Sequence, residues 1–209
     1  MARLLLYITR MNVRSVPENP SSKRVQIMEH AIKLFVTQGF QQTSMAQLSK
    51  SSGIAIGTMY HHFKGKDELI EQTYLYVTEK FGAFVRFHDA ETSLSFKERF
   101  RLLWVRSYTY FVDHPNYFYF KDTLNYSPLV SAELKEEGTK YYQASVDMIA
   151  EGIEQRLFIN NNPVVLGRWI YNSIITATQI TLNNELQMDE STLDEFFEMT
   201  WRSIVKKSD

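Results

Sequence analysis

The sequence predicts an all-α protein of about nine helices, with a small three-helix unit near the N-terminal end followed by a larger helical body. Three observations carry this reading. Apolar residues recur at spacings of three and four, Ser and Pro residues open those stretches, and Gly, Pro or Asn-rich breaks close them. With 209 residues, 44% of them apolar, the chain can bury a sizeable core. There is no cysteine, so neither a disulfide framework nor a cysteine-held metal is available. No apolar run approaches the ~20 residues that span a bilayer, and the Leu4–Ile8 patch is shorter than the ~7–15 residue core of a signal peptide. The expected setting is the cytoplasm, with no membrane partner.

Residues 1–21 hold Pro17, Pro20 and a second methionine, Met11, and few periodic apolar positions. They read as a flexible arm. Arg3, Arg10 and Arg14 could reach nucleic-acid phosphates; against that stands plain disorder, or a start at Met11. The first helix is expected from Ser22 to Gln38, with Ile27, Met28, Ala31, Leu34 and Phe35 on one face and Gly39 as its stop.

Ser44 and Gln47 form a capping-box signature, so a second helix begins there. It has room for about two turns before Ser51-Ser52-Gly53, where glycine supplies the left-handed backbone of a sharp turn. Ile54 and Met59 have the spacing to plug the angle to a short third helix ending near His62. Helix, glycine turn, helix is the pattern that places its second helix in the major groove of DNA.

The residues then carry a more specific resemblance. Gly53-Ile54, Gly57-Thr58-Met59-Tyr60-His61-His62-Phe63 and Lys66-Asp67-Glu68-Leu69 resemble the signature of the TetR family of bacterial repressors. The likeness extends upstream through Arg24, Ile27, Ala31, Leu34, Phe35, Gly39 and Phe40. It implies a helix-turn-helix DNA-binding domain over 22–68 and a helical effector-binding and dimerisation domain over 69–209. By the resemblance, Thr58, Tyr60 and His62 take DNA-contact positions, the latter two mainly toward phosphates. Ser44, Ile56, Gly57, His61, Lys64 and Lys66 complete the candidate DNA-binding set: Gly57 lets the backbone approach a base, and Lys66 supplies a cation at a helix start. The alternative makes Tyr60, His61 and His62 ordinary surface residues or a metal pair. Adjacent histidines point about 100° apart on a helix and do not share a face, so no metal site is assigned.

Three positions depart from the family pattern. Ala55 lacks the hydroxyl that usually caps the third helix, a loss of about 1 kcal/mol, and Ala46 stands where a longer polar residue is frequent. Ile56 is apolar where DNA is faced, which suits contact with a thymine methyl. Charge supports the assignment. Residues 1–70 hold nine Lys and Arg against four Asp and Glu, a net of +5, while the rest hold 14 against 20, a net of −6. A basic head on an acidic body is the asymmetry expected when one end meets phosphate.

From Lys66 a long helix carries Ile70, Tyr74, Val77, Phe81 and Phe84, and the resemblance makes it the lever between head and body. Ser95 and Glu98 then form a capping box that opens a helix ending at His114-Pro115, followed by a shorter one to Tyr126. Nine of the 23 residues from Trp104 to Tyr126 are aromatic, far above the 14% of the whole chain. Two accounts remain open, an aromatic core or the wall of a small-molecule pocket. The candidate ligand-binding residues are Trp104, Tyr108, Phe111, Tyr117, Phe118, Tyr126, Tyr141 and Asn172. The expected ligand has apolar or aromatic character, and the acidic body favours neutral or cationic compounds over anions.

A long helix is expected over Ser131–Phe158 with Tyr141, Tyr142, Val146, Ile149, Ile153 and Leu157 inside, Gly138 and Gly152 allowing kinks or close crossings. The next, from Pro163, is apolar on most sides, and the last runs from Glu190 to Lys207. The resemblance implies that these two pair with their symmetry mates, with Trp169, Ile174, Ala177, Phe197, Trp201 and Ile204 at a homodimer interface, and that the operator is palindromic double-stranded DNA. No catalytic constellation, P-loop or HExxH pattern is present, so neither an enzyme nor a cofactor is expected. The resulting expectation is a sequence-specific regulator, a repressor released by a small molecule. Three rivals are weighed: a ligand-independent regulator or activator with an aromatic core, a helical carrier or enzyme, and a non-specific architectural protein.

Overall fold

The computed structural model describes residues 22–206, and the expected arm over 1–21 and the tail from Lys207 lie outside them. Among the described residues the regular structure is helical: α1 Lys23–Gln38, α2 Met45–Ser52, α3 Ile56–His62, α4 Lys66–Val85, α5 Phe96–Asp113, α6 Pro115–Asn125, α7 Ala132–Gly138, α8 Gln143–Glu154, α9 Pro163–Leu182 and α10 Glu190–Ile204. Single 3-10 turns lie at Asp89–Glu91 and Thr139–Tyr142. No helix among them is long and apolar enough to cross a membrane. The described residues fall into two compact units, one of residues 22–83 and 114–141, the other of residues 84–113 and 142–206.

The first unit is built from α1 to α3, α4 up to Ala83, α6 and α7. Its core joins Ile27, Ala31 and Phe35 of α1 to Leu48, Met59 and Phe63, to Leu69 and Ile70 of α4, and to Phe120 and Leu124 of α6. Phe40, past the end of α1, stacks on Phe35 at 4.8 Å and meets Phe120 at 5.6 Å. α6 packs directly on α1, with the Phe35 and Phe120 rings 6.1 Å apart.

The second unit holds α5, α8, α9 and α10. Phe100, Trp104 and Phe111 of α5 are fully buried with Phe197 of α10, and Phe100 lies 5.4 Å from Trp201. The Trp104 indole donates to Ser173 Oγ of α9 at 2.9 Å. A bidentate ion pair between Arg106 and Glu91 is almost wholly buried, and Arg106 also donates to the Arg86 carbonyl. The chain after α8 is tied to the end of α10 by Ile159 N–H to the Ile204 carbonyl and Lys206 N–H to the Leu157 carbonyl, both 2.8 Å.

The helix expected over 131–158 is interrupted. A 3-10 turn at Thr139–Tyr142 ends α7 and precedes α8. Within α8, Met148 and Gly152 are buried and Val146 is exposed, the reverse of the expected pattern for Val146. Gly152 is the residue that the packing requires: an added Cβ would run into the Phe158 ring and come within 2.9 Å of Phe96.

Candidate nucleic-acid interface

The α2–turn–α3 element is assembled by short polar side chains. Ser44 Oγ accepts from Gln47 N–H at 3.2 Å while Gln47 Oε1 accepts from Ser44 N–H at 2.7 Å, so the capping box is complete in both directions. Gly53 ends α2 in the left-handed region at φ 68°, a conformation that a side chain would strain. Ser49 Oγ donates to the Ile54 carbonyl at 2.8 Å, Ser52 Oγ donates to the Leu48 carbonyl at 2.7 Å, and Ile54 N–H donates to Ser52 Oγ. Ile54 and Met59 are buried in the angle between the helices. Ala55 leaves α3 without a side-chain cap.

With Met59 fixing its inner side, α3 turns Ile56, Gly57, Tyr60 and His61 outward, with Thr58 and His62 half-buried. Ile56 is 43% and Tyr60 52% exposed, one turn apart on the same side of α3. Gly57 has an ordinary backbone conformation, and nothing lies within 4 Å of where its Cβ would be. The fold itself therefore does not call for glycine there. Ser44 and Lys64 are exposed as well.

One cation holds the end of α3 and a second ties α4 to the α1–α2 connection. Arg24 of α1 donates to the His62 carbonyl at 3.4 Å and to Gln72 Oε1 of α4 at 2.8 Å, with its guanidinium 4.9 Å from the Phe63 ring centre. A positive group on the last carbonyls of a helix is electrostatically favourable. Lys66, expected at an anion site, donates from Nζ to the Phe40 carbonyl at 3.2 Å. The start of α4 already carries a carboxylate, since Glu68 Oε2 accepts from Lys64 N–H at 2.5 Å. Lys66 thus has a tethering contact inside the unit. Arg24 was visible in the sequence but received no role, because its two acceptors are 38 and 48 residues away.

The candidate ligand residues are divided between the two units. Tyr117, Phe118, Tyr126 and Tyr141 belong to the first, Trp104, Tyr108, Phe111 and Asn172 to the second. Tyr117 donates its hydroxyl to Glu29 Oε1 of α1, and Tyr76 of α4 donates to the same oxygen at 2.6 Å. Burial, and then the adjacent Glu29 carboxylate, push the Tyr117 phenol far above its ordinary value. Phe118 is fully buried, Tyr126 exposed, Tyr141 half-buried. In the second unit Trp104 and Tyr108 stack at 6.2 Å, and the Tyr108 hydroxyl shares a hydrogen bond of 2.9 Å with Thr181. Burial raises the Tyr108 phenol. Phe111 is fully buried and Asn172 exposed. Trp104, Tyr108 and Phe111 thus sit in a core whose polar tips at Trp104 and Tyr108 are hydrogen-bonded.

Of the candidate interface residues, Ile174, Ala177, Phe197 and Ile204 are buried inside the chain and have no surface to offer a second copy. Periodicity alone marks the apolar face of a helix without saying whether the chain or a partner covers it. Trp169 is 58% exposed and Trp201 half-buried. Exposed beside Trp169 are Val164 and Val165 of α9, and Met199 of α10. The Trp169 indole donates to Ser203 Oγ at 2.7 Å, one turn from Met199, so this apolar surface runs across both helices.

A three-helix unit whose third helix is locked from behind and open in front defines a helix-turn-helix protein of the DNA-binding class. The comparisons give the family. The chain belongs to the tetR family of bacterial regulatory proteins: residues 27–73 match that family's N-terminal region, and residues 95–205 match the tetracyclin repressor-like C-terminal domain. The chain is 31% identical over 78 residues to the HTH-type transcriptional repressor KstR2 of Mycolicibacterium smegmatis, covering 37% of this chain and 38% of that one. It is 33% identical over 90 residues to an uncharacterized HTH-type transcriptional regulator of Haemophilus influenzae, covering 43% and 48%. These matches span less than half the length of either curated relative. The fold is similar to the crystal structure of a putative tetR family transcription regulator from Shewanella sp. PV-4, with a TM-score of 0.79 at 24% identity over 89% of this chain and all of the other.

Proposed function

We propose that the protein is a dimeric, sequence-specific repressor that a small-molecule effector releases from a palindromic operator. The observation that carries the DNA-binding part is the outward face of α3, where Ile56 and Tyr60 are exposed and Gly57 is a glycine that the fold does not need. Thr58, Tyr60 and His62 contact the operator, Gly57 permits close approach, and Ile56 packs on a thymine methyl. Ser44, His61 and Lys64 approach the flanking backbone. Lys66 and Arg24 act as positioning residues, consistent with their bonds to Phe40 and His62.

The partner copy docks on the surface formed by Val165, Trp169 and Met199. A two-fold axis there presents two α3 helices to successive major grooves, about 10 base pairs apart. Repression and effector release are supported by the family and by a relative named as a transcriptional repressor. The effector acts by preferring a conformation in which the two α3 helices are wrongly spaced, and it can shift the equilibrium only by its differential affinity for the two states.

Hydroxyl-radical footprinting on an operator selected from genomic fragments tests this. Two symmetric protected stretches one helical turn apart are expected, with protection lost when Trp169→Asp breaks the dimer. A single protected stretch, or one unaffected by Trp169→Asp, would remove the dimeric reading.

A further inference from the structure

Helix α3 carries on its open side a group whose charge depends on pH. Residues four apart share a helix face, so His61 stands one turn beyond Gly57, on the side where the missing side chain admits a close approach. His61 is exposed, and among the described residues its imidazole forms no hydrogen bond and no ion pair; its ring contact is His62, with centres 5.3 Å apart. The elements around α3 leave it without a carboxylate partner. The charged residue of α2 is Lys50. α1 carries Lys23, Arg24, His30 and Lys33, with Arg24 donating to the His62 carbonyl, and its carboxylate, Glu29, accepts from Tyr76 and Tyr117. Between α3 and the first turn of α4 stand Lys64, Lys66, Asp67 and Glu68: Lys66 donates to the Phe40 carbonyl, Glu68 accepts from Lys64 N–H, and Asp67 is exposed. A positive charge in the last turn of a helix is electrostatically favoured, so the position suits an imidazolium that no group of the chain pairs.

We propose that His61 makes operator binding proton-linked: it meets a backbone phosphate as an imidazolium, so the complex holds a proton that the free chain releases. This rests on the DNA-binding reading above and adds a regulation to the same face. Imidazole is the side chain that changes charge between about pH 5 and 8, and an anionic oxygen beside it favours the charged form. A hydrogen bond from that charged donor to phosphate is about twice as strong as one from the neutral ring. A lysine or arginine on phosphate keeps its charge over the same range and gives no such dependence. The sign follows from which state holds the proton. Operator affinity is highest where free and bound chains both carry it, falls as pH rises through the window in which only the complex does, and levels off above that window. A tenfold gain in proton affinity on binding raises operator affinity by up to about tenfold for each imidazole, and a two-fold operator engages two copies of His61. Acid therefore tightens the complex with no effector present.

Fluorescence anisotropy with an operator selected from genomic fragments, at pH 5.5, 6.5, 7.5 and 8 and one ionic strength, tests the proposal on the full chain. Calorimetry at pH 6.5 in two buffers of different ionisation heat counts the protons taken up on binding. The wild type is expected to bind about tenfold or more tightly at pH 5.5 than at pH 8 and to take up protons. His61→Gln is expected to lose most of that slope and uptake while keeping the wild-type affinity at pH 8 within about threefold, which also shows that the variant folds. His61→Lys, charged throughout, is expected to bind more tightly than the wild type at pH 8. His62→Gln measures what the neighbouring ring adds. The proposal is overturned if the wild type binds the selected operator equally at every pH, if His61→Gln keeps the full slope, or if His61→Lys gains nothing at pH 8. If the wild type selects no operator at any of these pH values, the DNA-binding reading fails, and the proposal with it.

Discussion

Lys121 makes the stability of the chain depend on pH between about 8 and its ordinary 10.5. Its ordinary value is 10.5 and burial lowers it to about 8 in the folded chain. Between those two values the unfolded chain holds the proton and the folded chain does not, so stability rises with pH across that window. A tenfold difference in proton affinity is worth about 1.4 kcal/mol, so the full span corresponds to about 3 kcal/mol. Lys121→Met removes the titrating group, keeps an unbranched side chain in the gap and leaves other lysines and tyrosines untouched. Urea unfolding of both proteins at pH 7, 8, 9, 10 and 10.5 should show the wild type gaining about 3 kcal/mol relative to the variant between the first and last points. Parallel profiles would refute the reasoning, because they would mean that Lys121 reaches water in the folded chain.

Other outcomes follow from single contacts. Gly152→Ala should destabilise by about 1–3 kcal/mol in urea unfolding, because its Cβ meets the Phe158 and Phe96 rings. Glu91→Gln should cost roughly 3–5 kcal/mol by leaving the Arg106 guanidinium buried against a neutral amide. Burial raises the Glu91 carboxyl, but Arg106 and the His88 N–H outweigh it and hold it below its ordinary 4.5. The stability it supplies is therefore full above 4.5 and is lost as pH falls through the lower folded value, a slope that the variant should lack in acid titration. Gly57→Ala should leave the melting temperature unchanged or slightly higher, since helix propensity improves by up to about 1 kcal/mol, yet weaken operator binding in anisotropy titrations. Replacing the thymine opposite Ile56 by uracil should weaken binding by the worth of one methyl contact, and unchanged affinity would exclude that contact.

The local grammar of the chain was readable from its residues. Ser44 with Gln47, Gly53 in the left-handed region, and Ile54 with Met59 all do in the structure what their spacing predicts, because caps, turns and plugs depend on neighbours a few residues away. Contacts across long separations were not readable. Nothing local to Arg24 points to the His62 carbonyl, and nothing local to Tyr117 points to Glu29, 88 residues earlier. The packing of α6 on α1 is of the same kind, and it assigns half of the candidate ligand residues to the unit that carries α3. The inward and outward faces of α9 and α10 were confused because both are apolar. Ile174 and Ala177 point in while Val165 and Trp169 point out, and hydrophobicity carries no label for which surface another copy will cover. Lys121 did leave a signal. It stands at the position of a core residue, three before Leu124 and four after Tyr117.

The most direct test of the central claim is a selection of genomic fragments by the purified protein, run in parallel with a variant carrying Gly57→Ala and Tyr60→Ala. Both changes lie on the outward face of α3 and away from the core, so the variant should fold. The account predicts that the wild type enriches one two-fold symmetric sequence at moderate salt and that the variant enriches none. Enrichment of no sequence by the wild type, or of the same sequence equally by both, would contradict it.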